Sequence, residues 1–220
     1  MWVPPVVFAQ DTLLNKYGLW VIGDKATLQK TVKHDAGKAM IDIKKAIPKL
    51  QLDLRYAGTN NFMGQVLYPF TSSTYLRKIA VDKLSKAQAE LEKKGYGLKV
   101  FDAYRPYSVT EKLWEPVQDD RYAEDTKKGS GHNRGIAVDL TDKEELDMGT
   151  GFDNFSDTAH IDFINLPNAV LQNRKLLKVV MEKYGFVALD TEWWHYYLPN
   201  AKYFELLDID FKQLKKLNKK

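Results

Sequence analysis

The chain has 220 residues, and 33 basic against 29 acidic side chains give it a formal net charge of +4 at pH 7. Because we find no repeat, low-complexity stretch or linker, we expect one domain over residues 1–220. The lack of cysteine excludes disulfides, thiolate nucleophiles and zinc fingers of any cysteine type. No apolar run approaches the ~20 residues that a membrane-spanning helix needs, so we expect no membrane span.

Much of the positive charge lies near the C-terminus, in the basic tail 212–220. A solvated helix end or tail explains this run most simply, and binding to nucleic acid or a membrane surface is the less favoured alternative. We therefore expect no nucleic-acid partner.

The first residues, 1–11, are apolar and end near a small residue, Ala9 before Gln10. Two interpretations stay open: a remnant of an export signal, or an ordinary N-terminal arm. The first places the protein in the periplasm or cell envelope, and the second leaves the cytoplasm as the alternative.

Up to residue 129 the pattern predicts two strands, two helices and one connection, and no motif before Leu52 can be placed. In chain order these are a strand over 51–56, a helix over 73–94, a strand over 98–103, a helix over 108–114 and an exposed charged connection over 119–129.

The second half predicts a strand over 136–141, a loop over 147–157, a helix over 167–184 and strands over 186–189 and 193–198. Separate strands and long helices, with short joins near the end, indicate the α+β class. We expect a central, mostly antiparallel sheet flanked by helices.

Two short segments hold a set of side chains suited to a catalytic zinc. His132 and Asp139 lie in the first segment, and Glu192 and His195 in the second. Three nitrogen or oxygen ligands that leave a fourth position open for water are typical of zinc hydrolases. We predict that His132, Asp139 and His195 bind the metal and that Glu192 is left as a general base.

Each of these residues also has a plainer interpretation. Taken singly, His132 could be a surface histidine, and Asp139 a strand carboxylate paired with Arg134. Glu192 and His195 weigh against this, because they lie in an aromatic strand where a desolvated polar group needs a partner or a metal.

Arg105 and Asp153 are further candidates. Arg105 follows a predicted strand, where its guanidinium could stabilise an oxyanion, or could merely pair with Asp102. Asp153 lies in the Gly-rich loop, where it could bind a substrate ammonium or only form a turn.

These segments resemble the VanX-type D-alanyl-D-alanine dipeptidases, zinc peptidases related to D-Ala-D-Ala carboxypeptidases and, in fold, to the hedgehog signalling domain. Ser130-x-His132-x-x-Gly135-x-Ala137-x-Asp139 is similar to the first metal motif of that family, and Glu192-Trp193-Trp194-His195 to the second. Segments 56–64, 102–106 and 148–153 are also similar, in matching order. The resemblance runs from about Leu52 to Tyr197.

The resemblance implies one zinc ion per chain, bound by the three residues named above, and hydrolysis of the small dipeptide D-Ala-D-Ala in cell-wall turnover, recycling or glycopeptide resistance. It implies that Glu192 is the base and proton shuttle and that Arg105 stabilises the tetrahedral intermediate. It also implies that Asp153 holds the substrate ammonium with help from Tyr56, and that Ser130 lies beside the dipeptide.

Two alternatives remain at this point. One is a D,D- or L,D-carboxypeptidase or endopeptidase acting on peptidoglycan stem peptides. The other is a zinc-binding module without catalysis, which is less favoured because a structural zinc needs neither a base like Glu192 nor an oxyanion donor like Arg105.

Overall fold

The computed structural model describes residues 14–68, 71–119 and 123–218. The segment 1–11, with its two interpretations, lies outside these ranges. Within them no helix is both long enough and apolar enough to cross a bilayer.

The described residues form six α-helices and nine strands. The helices are α1 (Lys25–His34), α2 (Ile43–Ala46), α3 (Lys78–Lys93), α4 (Tyr107–Val117), α5 (Asn168–Lys183) and α6 (Phe211–Leu217). The strands are β1 (Val21–Ile22), β2 (Met40–Asp42), β3 (Gln51–Leu52), β4 (Tyr75–Arg77), β5 (Leu98–Asp102), β6 (Ala137–Asp142), β7 (Val187–Leu189), β8 (Glu192–Tyr197) and β9 (Leu206–Leu207).

A five-stranded sheet with the order β3-β5-β6-β8-β7 carries the centre of the molecule. β3 runs parallel to β5, and every other neighbouring pair in this sheet is antiparallel. Asp139 on β6 lies opposite Asp102 on one side and His195 on the other. The predicted α+β class with a mostly antiparallel sheet is confirmed.

One face of this sheet is covered by α3 and α5. Leu84 and Leu177, one from each helix, belong to the same buried cluster as Val100 and Val138 from the sheet. Burying a side chain of this kind stabilises a fold by roughly 1.5–3 kcal/mol. A second cluster joins α1, α4 and α6 around Tyr104. The amphipathic helices predicted over 73–94 and 167–184 therefore supply the cover of the sheet.

Two predicted boundaries were wrong, one at the end of a strand and one at the start of a helix. The strand predicted over 51–56 ends at Leu52, and Arg55–Ala57 form a 3-10 turn. The helix predicted over 73–94 begins only at Lys78, because Tyr75–Arg77 pair with Met40–Asp42 as a strand. This pairing joins segments far apart in sequence, which helical periodicity cannot reveal.

The connection predicted to be exposed over 119–129 is partly buried. Thr126 is 2% exposed, and its carbonyl accepts a hydrogen bond of 2.6 Å from the Tyr107 hydroxyl. Glu124 faces a cavity instead of bulk solvent. Local charge density predicted solvation, whereas these tertiary contacts draw part of the segment inward.

The basic tail is helical as far as Leu217, and the lysines at 212, 215 and 216 are exposed on α6. This agrees with a solvated helix end.

Candidate active site

The loop from Ser130 to Gly135 brings His132 back towards the sheet. Gly135 has a φ of +69°, a region that favours glycine, and a Cβ there would lie 2.9 Å from the side chain of Met40. The carbonyl of His132 accepts hydrogen bonds from the backbone N–H groups of Arg105 and Gly135. The turn that the sequence predicted at Gly135 therefore aims His132 at β6.

His132, Asp139 and His195 form a compact buried cluster whose possible ligand atoms all lie within 4.8 Å of one another. His195 Nδ1 lies 2.9 Å from Asp139 Oδ1 and 3.2 Å from His132 Nε2. His132 Nε2 lies 3.4 Å from Asp139 Oδ2. The three predicted ligands converge although up to 63 residues separate them in the chain.

The chemistry of this donor set fits a zinc ion. His132 Nδ1 donates to the carbonyl of Ala103 at 2.7 Å, so Nε2 keeps its lone pair and faces the other two ligands. Two imidazoles and one carboxylate are ligands that zinc prefers, and they leave room for a fourth. All three side chains are buried, which shields the site from competing water.

The electrostatics of the cluster favour an ionised carboxylate. Burial alone would raise the pKa of Asp139, but His132 and His195 hold it below its ordinary value. Burial lowers the pKa of His195, but its hydrogen bond to Asp139 and the negative charges of Asp139 and Glu124 together raise it above its ordinary value. The carboxylate is thus ready to bind a cation.

Glu192 begins β8 and lies beside the cluster, with Oε2 3.8 Å from His195 Nδ1. Burial, and then the negative charge of Asp139, raise the pKa of the Glu192 carboxyl well above its ordinary value. A carboxyl with a raised pKa at the edge of a metal site is suited to accepting and returning a proton. Arg134, the alternative partner of Asp139, instead donates to the carbonyls of Phe204 and Lys128.

Arg105 follows β5 and reaches the same cavity. Its Nε and Nη2 bind Asp102 Oδ2 at 2.9 and 2.8 Å, and Nη2 lies 3.8 Å from Asp139 Oδ2. Burial lowers its pKa, but Asp102 and the other acidic groups around it together raise the pKa well above its ordinary value, so the guanidinium stays charged. The pairing with Asp102 considered from the sequence is therefore present, and the guanidinium lines the same cavity as His132, Asp139 and His195.

Asp153 lies across this cavity, in a left-handed conformation with a φ of +59°. Its two oxygens accept hydrogen bonds from the Tyr56 hydroxyl at 2.9 Å and from the Phe62 N–H at 3.3 Å. Burial raises the pKa of the Asp153 carboxyl to about 7 against these two hydrogen bonds. Burial also raises the pKa of Tyr56, so its hydroxyl stays protonated and donates.

Ser130 is the predicted site residue that does not line the cavity. It is 1% exposed, and its Oγ accepts from the N–H of Asn133 at 3.1 Å. In this structure it closes the turn that carries His132.

Glu124 and Phe62 line the cavity and were not assigned a role from the sequence. Among the residues that the structure describes, Glu124 Oε2 is buried without a hydrogen-bond partner, and it lies 3.8 Å from Arg105 Nη1. Phe62 packs edge-on against Tyr56 and against Phe155. Glu124 lies in an irregular connection, where residues follow neither the helix nor the strand period. The sequence therefore could not single it out as a residue of the cavity.

The chain is similar to a known peptidase family and to a solved structure. The profile of the M15 peptidase family, described as D-ala-D-ala dipeptidase, matches residues 36–213. A solved structure of the LD-carboxypeptidase LdcB is also similar, with a TM-score of 0.46 and 17% identity, covering 75% of this chain and 71% of that one.

Three relatives bear the name D-alanyl-D-alanine dipeptidase. The protein of Escherichia coli K12 is 36% identical over 78% of this chain and 91% of its own length. Those of Enterococcus faecalis and Streptomyces coelicolor are 33% and 31% identical, over 69% and 68% of this chain and 87% and 86% of their own lengths. The chain therefore belongs to the D-Ala-D-Ala dipeptidase family of M15 peptidases.

Proposed function

We propose that this protein hydrolyses D-alanyl-D-alanine to two molecules of D-alanine and uses one zinc ion to do so. The observation that carries the proposal is the arrangement of one cavity, with the cluster of His132, Asp139 and His195 beside Glu192 and the separate carboxylate of Asp153 facing the same space. The names of the relatives support the choice of substrate.

The two ends of this arrangement suit a short substrate with a free amino group. Asp153, held by Tyr56 and the Phe62 N–H, would bind the ammonium of the dipeptide as a carboxylate. The peptide bond next to that ammonium would then lie towards the histidine cluster. A free amino terminus is what distinguishes the dipeptide from an N-acylated stem peptide.

His132, Asp139 and His195 would hold the zinc ion. When bound, such an ion acidifies a water molecule and polarises the scissile carbonyl. Glu192 would take a proton from the attacking water as its oxygen bonds to the carbonyl carbon. As the carbon–nitrogen bond breaks, Glu192 would return that proton to the leaving amine nitrogen.

Arg105 would stabilise the carbonyl oxygen as it gains negative charge. Its guanidinium is already fixed by Asp102 and lies 3.8 Å from Asp139, so it needs little reorganisation. Fixed donors of this kind contribute about 3–4 kcal/mol each to the transition state.

Release of D-alanine from D-Ala-D-Ala by the purified, zinc-loaded protein tests the proposal, with L-Ala-L-Ala and N-acetyl-D-Ala-D-Ala as comparisons. We expect release from the free D,D-dipeptide, little from the other two, and none with Glu192→Ala. Preferential cleavage of N-acylated stem peptides would instead support a carboxypeptidase. A folded, zinc-loaded protein that cleaves none of these would contradict an enzymatic role on them.

The compartment that holds the protein bears on its role in the cell. Cell-wall turnover, recycling and glycopeptide resistance would all use the same active site. This site is equally compatible with the envelope and the cytoplasmic locations named from the sequence. Fractionation of the native cells, with detection of the protein, would distinguish the two locations.

A further inference from the structure

The segment 147–160, which we call the Asp153 loop, has little regular structure of its own. It lies between β6 and α5, and its one helical turn is the 3-10 turn Asp157–Ala159. Asp153 itself adopts a φ of +59°, which is unfavourable for a residue with a Cβ. Such a conformation persists when the surrounding structure holds it. Contacts from outside the loop, from the Tyr56 hydroxyl and the Phe62 N–H, hold the Asp153 carboxylate.

Arg174 on α5 provides three of these contacts. Its Nε donates to the carbonyl of Met148 at 2.8 Å, Nη1 to that of His160 at 2.7 Å and Nη2 to that of Thr158 at 2.8 Å. The three carbonyls come from both sides of Asp153 in the chain. One planar guanidinium thus ties the two halves of the loop together with charge-assisted hydrogen bonds.

The environment of Arg174 indicates that its main role is to tie the two halves of the Asp153 loop together. Arg174 is 3% exposed, and among the described residues no carboxylate lies within ion-pair distance of its guanidinium. A buried guanidinium is costly unless its N–H groups are satisfied, and here loop carbonyls satisfy them. The contacts of Arg174 are therefore hydrogen bonds to loop carbonyls and not part of an ion-pair network among the described residues.

Two other contacts fix the beginning of the loop, one from α5 and one from β8. Asn173 Nδ2 donates to the carbonyl of Asp147 at 2.9 Å, and Trp193 Nε1 donates to Thr150 Oγ1 at 2.9 Å. Trp193 lies on β8, the strand that also carries Glu192 and His195. The loop is therefore positioned relative to the strand that carries the proposed base.

We propose that Arg174 is a positioning residue for Asp153 and thereby sets the affinity for substrates with a free ammonium group. This rests on the proposed function. Arg174 itself touches neither the cavity nor the metal ligands. Its loss should weaken recognition of the ammonium end and leave the chemical step largely intact.

The first test compares Arg174→Lys with the wild type. A lysine keeps the charge but cannot reach three carbonyls in the plane of a guanidinium. We expect the KM for D-Ala-D-Ala to rise about tenfold or more, with kcat changed less than about threefold. Competitive inhibition by N-acetyl-D-Ala-D-Ala, which lacks the ammonium, should weaken by less than about twofold.

Arg77 offers a matched control. It is also a buried arginine, bonded to the carbonyls of Lys38, Arg134 and Glu205 and ion-paired with Glu205 at 3.5 Å, and none of these residues belongs to the Asp153 loop. Arg77→Lys should lower the stability of the protein in a similar way. It should leave unchanged the ratio of the KM for the free dipeptide to the inhibition constant of its N-acetyl form. An equal change of that ratio in both variants would overturn the proposal.

A double-mutant cycle with Asp153→Asn separates positioning from a general structural role. If Arg174 acts through Asp153, Arg174→Lys should raise the KM by less than about twofold once Asp153 is already asparagine. The same increase in both backgrounds would contradict the proposal. If Arg174→Lys does not fold, Thr150→Val takes its place in the same cycle. This variant removes the hydrogen bond from Trp193 and is expected to raise the KM by a smaller factor.

Hydrogen exchange provides a readout that does not depend on turnover. In Arg174→Lys the amides of the Asp153 loop should exchange faster than in the wild type, while those of β6 and β8 keep their protection. Unchanged exchange in the loop would overturn the inference whatever the activity. A wild-type protein that does not cleave D-Ala-D-Ala would instead contradict the proposed function.

Discussion

The Tyr56 hydroxyl donates a hydrogen bond of 2.9 Å to Asp153, which lies 97 residues away in the chain. This contact joins the 3-10 turn after β3 to the Asp153 loop and leaves the carboxylate facing the cavity of the histidine cluster. It gives the cavity two chemically distinct parts, the histidine cluster and the separate carboxylate of Asp153.

Replacing Asp153 by asparagine should weaken substrate binding more than turnover. An ammonium that loses a charged partner loses about 1.5–3 kcal/mol, which corresponds to a KM about 10- to 150-fold higher. Tyr56→Phe removes only the donor and should raise the KM by less. Steady-state kinetics with the free and N-acetylated dipeptides will measure both. An Asp153→Asn enzyme with the wild-type preference between the two substrates would refute this role.

Arg105→Ala should lower kcat by about two to three powers of ten because an oxyanion donor is lost. The zinc content should stay at one ion per chain, since Arg105 is not a ligand. Metal analysis and kinetics on the same sample provide the check. Turnover equal to that of the wild type would exclude the role.

Glu192→Gln should bind zinc and the dipeptide but release D-alanine about 10²–10⁴ times more slowly, because the amide cannot accept the proton. The variant changes little else in shape or volume. Rapid D-alanine release by this zinc-loaded variant would show that another group acts as the base.

His132→Ala should remove the zinc ion from the site. A chelator should likewise abolish release of D-alanine by the wild type, and added zinc should restore it. Because the buried ligands are stabilised by a bound cation, the wild-type Tm should fall on chelation, whereas that of His132→Ala should hardly change. Equal Tm shifts in both proteins would argue against this site as the zinc site.

The metal-free protein should show a pH dependence that comes from Asp153. The folded-state pKa is about 7 and the unfolded value is about 3.9, so the folded protein holds the proton more tightly. The stability contributed by protonated Asp153 is complete below pH about 4 and is lost as the pH rises to about 7.

Urea unfolding of the metal-free wild type and of Asp153→Asn at pH 5 and pH 8 measures this contribution. The free energy of unfolding should fall more steeply with pH in the wild type, by up to about 4 kcal/mol over the whole range. Parallel profiles for the two proteins would mean that the Asp153 carboxyl is ionised throughout.

The sequence by itself determined the local features that bear the chemistry. Alternation along 136–141 put Asp139 on the face opposite Val138, and Gly135 indicated the turn that returns His132. Both follow from the two-residue period of a strand and from the conformational freedom of glycine, which are properties of neighbouring residues. For this reason the α+β class and a candidate set of metal ligands could be predicted from the sequence.

Only the tertiary structure decided which distant segments meet. It paired Tyr75–Arg77 with Met40–Asp42, turned Glu124 into the cavity and placed the Arg174 guanidinium on three carbonyls of the Asp153 loop. None of these contacts has a local period, because each depends on packing between elements far apart in the chain. The cluster of His132, Asp139 and His195 could therefore be predicted from motifs, whereas the contacts that hold Asp153 in the cavity appeared only once the chain was folded.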